Sequence, residues 1–60
     1  MIIKNIVTMD DELTFVDAEI VNIKNTKKFD KAIQQGKVVE IKENGKIYKL
    51  NSSYIIFYQP

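Results

Sequence analysis

The sequence predicts a small α+β fold, an antiparallel sheet of four to five strands with one short helix in the order β-β-α-β-β-β. Three observations carry this. Asn44-Gly45 separates two runs of alternating apolar and polar residues, the signature of a tight hairpin. Phe29, Ala32 and Ile33 follow i, i+3, i+4 spacing inside the one segment with helix caps at both ends. The remaining apolar residues fall in short runs broken by polar clusters, the pattern of strands and turns. Sixty residues hold one domain, spanning 1–60.

The first strand runs from Ile2 to Val7, where Ile2, Ile3, Ile6 and Val7 point to a mostly buried or slightly irregular strand. Thr8 to Glu12 is a polar reversal. Leu13 to Ile23 reads as a long second strand whose apolar residues change parity, with Leu13 and Phe15 on one face and Val16, Ala18 and Ile20 on the other. A change of face within one strand implies a bulge or a strong bend. The helix lies between Asn22 and Gly36, capped by Asn25 or Thr26 and ended by Gly36 in a left-handed conformation.

A two-residue turn at Asn44-Gly45 pairs Glu43 with Lys46, Lys42 with Ile47, Ile41 with Tyr48, Glu40 with Lys49 and Val39 with Leu50. It places Val39, Ile41, Tyr48 and Leu50 on the core face. Asn51-Ser52-Ser53 is a further turn, and Tyr54 to Tyr58 is a final strand, apolar on both sides. Such a strand is either central and covered on both faces or part of a contact surface. An open sheet with one covering helix and a partly open barrel of the SH3-like or OB-like kind both satisfy this order.

Composition excludes whole classes of chemistry. The chain has no His, Cys or Trp, which removes thiol nucleophiles, histidine bases, thiolate or imidazole metal sites and disulfides. No phosphate-cradling glycine motif is present, and no cofactor or enzymatic activity is expected. No apolar run approaches the 18 residues of a membrane span, and Met1-Ile2-Ile3-Lys4 opens no secretory signal, so a cytoplasmic protein is expected.

Charge is segregated. Residues 1–23 carry a net −4 and residues 24–60 a net +5, with every basic residue a lysine. Without arginine there is no rigid fork for bidentate phosphate or guanine recognition, which weighs against a specific nucleic-acid reader. Asp10, Asp11 and Glu12 form the densest acidic cluster, read as a solvated turn or a partner contact. Lys24, Lys27, Lys28 and Lys31 form a basic run into the helix, read as a solvated face or as an anion or nucleic-acid contact. Tyr54 and Tyr58 are the candidate partner-binding aromatics, one or the other expected to be partly exposed, where a ring can be buried by a partner while its hydroxyl stays wet.

Lysine, isoleucine and asparagine make up 24 of the 60 residues. In that usage and in size the chain is similar to short accessory proteins of low-GC Gram-positive bacteria and their phages. The likeness implies a phage or mobile-element protein that binds and inhibits a larger one. Function therefore reads as a non-enzymatic protein-binding regulatory or inhibitory module whose partner is a larger protein. The alternatives are a small nucleic-acid-binding domain and a self-associating structural protein, a homodimer in the simplest case.

Overall fold

The computed structural model describes residues 1–60 and contains one five-stranded antiparallel sheet and one helix in the expected order. The strands are β1 (Ile2–Thr8), β2 (Thr14–Ile20), β3 (Val38–Glu43), β4 (Lys46–Asn51) and β5 (Ile55–Gln59), and the helix is α1 (Thr26–Gln35). They lie in the order β4-β3-β2-β1-β5, so β4 and β5 are the two edges. A single 3-10 turn, Ser52–Tyr54, carries the chain from one edge to the other. A crossing this short brings the end of β4 close to the start of β5, and the sheet must curl to allow it.

The β3–β4 hairpin has the register that its turn chemistry dictates, from Glu43↔Lys46 to Val39↔Leu50. Asn44 and Gly45 both take positive φ, 50° and 80°, as a type I′ turn requires. The ends of α1 are also local chemistry. Asn25 Oδ1 accepts the Lys28 N–H at 2.9 Å. At the other end Gly36 (φ 65°) donates to Ile33 O at 3.2 Å while Lys37 N–H donates to Ala32 O at 3.0 Å, a Schellman closure.

β2 is shorter than its sequence pattern predicts, ending at Ile20 rather than Ile23. Beyond Ile20 the chain still follows β3. Val21 N–H donates to Glu40 O at 2.8 Å, and the Asn22 side chain donates to Val38 O and accepts Glu40 N–H, replacing a backbone ladder with an amide. The expected change of face is present. Phe15, Ala18 and Ile20 are buried, and the parity switch falls at Asp17, whose φ is +50°. β1 switches in step, burying Ile3 and then Ile6, so the β1–β2 register is unbroken. β2 pairs with β3 only at Glu19↔Lys42 and Ile20↔Ile41. Past the bend Glu43 Oε2 accepts the Val16 N–H at 2.7 Å.

Left-handed backbone costs a residue with a branched side chain more than it costs Asp or Gly. Asp17→Val is therefore expected to destabilise the fold by about 1–2 kcal/mol, and Asp17→Gly to stay within about 0.5 kcal/mol of the parent. Urea midpoints of the two variants check this. Equal midpoints would mean that the bend imposes no strain.

The core is built from Ile3, Ile6, Phe15, Ala18, Ile20, Val39, Ile41, Leu50 and Ile55 of the sheet, closed by Phe29 and Ala32 of α1. Tyr48 meets Phe15 edge-on at 5.2 Å, and Tyr58 meets Phe29 edge-on at 4.8 Å. Ser52, a turn residue by sequence, is fully buried. Its hydroxyl donates to Ala32 O at 2.9 Å and its N–H to Lys37 O at 3.0 Å, pinning the 3-10 turn to the end of α1. The helix is ten residues long, so none can cross a membrane.

Candidate functional site

β5 occupies the sheet edge beside β1 and carries no charged residue. The other edge strand, β4, carries Lys46 and Lys49. Lysines on an edge discourage another chain from pairing with it, and β5 lacks this protection. The expected final strand, apolar on both faces, is thus an edge strand rather than a central one. It also begins one residue later than expected, because Asn51 Oδ1 accepts the Ser53 N–H at 3.0 Å and holds Tyr54 in the 3-10 turn.

Pairing of β1 with β5 places Val7 opposite Phe57 and Thr8 opposite Ile55, leaving Ile56 as an extra residue at a bulge. Thr8 and Ile55 are buried, so Val7 and Phe57 face outward. Ile56 is 65% exposed, Phe57 57%, Tyr54 55% and Met9 64%. Met9 N–H donates to Tyr54 O at 2.8 Å, which places Met9 against Tyr54. Four large exposed apolar residues therefore lie in neighbouring segments: Tyr54 in the 3-10 turn, Ile56 and Phe57 in β5, and Met9 just past the end of β1. Beside β5, Ile55 to Tyr58 and Asp30, Ile33 and Gln34 of α1 line an open groove of about 300 Å³.

The acidic turn borders this patch. Asp10, Asp11 and Glu12 are exposed and follow directly on Met9. The turn is fixed from within: Thr8 Oγ1–H donates to Leu13 O at 2.7 Å, and Asp10 Oδ1 accepts the Glu12 N–H at 3.0 Å. No three acidic side chains are gathered closely enough to hold a metal ion. Two of the expected contact sets, Tyr54 and Asp10–Glu12, thus lie side by side. Sequence reasoning missed Met9, and it took in Ile56 and Phe57 only as part of a final strand that is either central or a contact surface, without naming them as contact residues.

Tyr58 is placed differently. Its ring is half-buried against Phe29, and its hydroxyl donates to Asp30 Oδ1 across the groove to α1. Burial, then the hydrogen bond to Asp30 and that carboxylate's charge, push the Tyr58 pKa from 10.0 up to about 12. Tyr58 thus ties β5 to α1. An unfolded chain releases this proton at lower pH than the folded one, so the tyrosine's contribution is complete below about pH 10 and fades as pH rises toward 12. Stability measured by urea unfolding is expected to fall over that window, and Tyr58→Phe to flatten the fall. An unchanged slope in the variant would refute the assignment.

Lys24, Lys27, Lys28 and Lys31 are all exposed. Lys28 and Lys31 line a second groove, of about 440 Å³, joined there by Lys37, which the sequence reading did not include because it lies beyond the Gly36 cap. Lys24 and Lys27 are outside it. No protein-family model, curated protein or solved structure matches the chain.

Proposed function

We propose that the protein is a non-enzymatic binding module that captures an extended segment of a larger protein along the free edge of β5. The observation that carries this is the uncharged edge strand with Ile56 and Phe57 exposed beside it. An edge offers a row of backbone donors and acceptors for strand addition, and the apolar patch offers purchase for alternate side chains. The groove against α1 supplies a wall for the incoming strand. Asp10, Asp11 and Glu12 at one end of the patch favour a segment flanked by lysine or arginine, since complementary charge steers encounter and fixes register. The action is regulatory or inhibitory: the bound segment is occupied, with no bond made or broken. A chain without cysteine needs no oxidising compartment, which suits the cytoplasm.

The test is capture with the immobilised chain from a nuclease-treated lysate, followed by titration of the purified captured protein against the parent chain and Phe57→Lys. Saturable binding by the parent that Phe57→Lys abolishes supports the proposal. Equal binding by both refutes this surface. Self-association through the same edge predicts instead a light-scattering mass of two chains at micromolar concentration, lost in Phe57→Lys.

A further inference from the structure

The lysines of β3 and β4 are placed differently from Lys28 and Lys31 of α1 and Lys37 just beyond its cap. Lys42, Lys46 and Lys49 stand opposite Glu19, Glu43 and Glu40 in the ladders. Lys28, Lys31 and Lys37 instead line the second groove, and none of the eight residues lining it is acidic. Helix α1 has one carboxylate, Asp30, and the Tyr58 hydroxyl engages it on the β5 side.

This arrangement is unfavourable for the helix itself. Lys28 and Lys31 are like charges at i, i+3, and the first turn carries Lys27 and Lys28 with no acidic residue to balance the dipole. A short helix with this charge crowding has a use for it when an anion supplies the missing charge. Ile23, Ala32 and Val38 are the apolar residues of its lining, and Asn22 and Gln35 the uncharged polar ones. The volume, about 440 Å³, falls in the range of small-molecule sites.

We propose that this groove binds a small organic phosphate monoester, with Lys28, Lys31 and Lys37 around the dianion and the organic body against Ile23, Ala32 and Val38. Three ammonium groups match a phosphate, which carries between one and two negative charges and three acceptor oxygens near neutral pH. These apolar residues distinguish an ester from inorganic phosphate, because only the ester has apolar surface to bury there. This site is separate from the β5 edge, and its failure would leave the protein-binding reading intact.

The experiment is titration of the isotope-labelled full chain with phenyl phosphate, inorganic phosphate and a short oligothymidylate, following amide resonances by NMR. Saturable shifts centred on Ile23, Lys28, Lys31, Lys37 and Val38 are expected, with phenyl phosphate binding more tightly than inorganic phosphate. Lys31→Gln is expected to weaken binding about two- to fivefold and Lys31→Gln/Lys37→Gln about tenfold. Lys24→Gln/Lys27→Gln, outside the groove, should leave affinity unchanged. Four results would overturn the proposal. One is no saturable shift at millimolar phenyl phosphate, and another is equal affinity for the ester and inorganic phosphate. A third is equal weakening by the outside pair, which would mean diffuse attraction. The last is binding that strengthens with oligothymidylate length and collapses with salt, which would assign the lysines to a nucleic-acid backbone.

Discussion

Phe29→Ala is expected to leave a large fraction of the molecules unfolded in plain buffer. Phe29 is fully buried, and with Ala32 it is one of two buried residues that hold α1 to the sheet. A ten-residue helix does not persist alone, so its existence depends on that contact. Truncating a buried phenylalanine costs about 3–5 kcal/mol, against a total stability of about 3–9 kcal/mol for a chain of this size. The loss also strips the ring under Tyr58, which stacks edge-on against it, and so loosens β5. Circular dichroism and urea unfolding read the effect directly. Phe29→Leu, which keeps most of the volume, should remain folded with a lower midpoint. A midpoint for Phe29→Ala equal to the parent's would show that the helix is held by something other than this ring.

Phe57→Lys is expected to abolish partner binding, with at least about a thirtyfold loss, while leaving the fold as stable as the parent to within about 0.5 kcal/mol. Its side chain is mostly exposed, so stability has little to lose. A charge on an edge strand obstructs the approach of another strand and cannot be buried cheaply in an apolar contact. Ile56→Lys, at the bulge, should act in the same direction. Ile47→Lys is the control, because Ile47 is equally exposed but belongs to β4 at the opposite edge. Loss of binding in the Ile47 variant alone would move the interface to β4.

The parts of the fold that were legible in the sequence are those set by short-range chemistry. Asn44-Gly45 fixes the hairpin register within two residues of chain, and Asn25 and Gly36 mark the ends of α1 because caps satisfy backbone groups one turn away. The bend in β2 was visible as a parity change, but its seat was not, since Asp17 is one of several residues able to take positive φ. Ser52 looked like an ordinary turn residue. Its burial follows from the meeting of the 3-10 turn with the end of α1, and no local pattern encodes that. The candidate surface was half legible. Tyr54 and the acidic turn each stood out, but their adjacency depends on the pairing of β1 with β5, strands from opposite ends of the chain. The edge position of β5 was hidden for the same reason: two apolar faces suit a central strand and a docking strand equally well.

That pairing of the first strand with the last also orders events in time. The β3–β4 hairpin closes over two residues and can form within microseconds, whereas the β1–β5 ladder must close a loop of nearly the whole chain. β5 is therefore expected to dock last as the chain refolds, leaving β1 with one side unpaired until it does. A β5 from a second molecule could then compete for the same vacancy, so refolding at high concentration is expected to yield some exchanged dimer, read as a two-chain mass by light scattering. The strand through which we propose the protein meets its partner is thus also the one expected to take its place last.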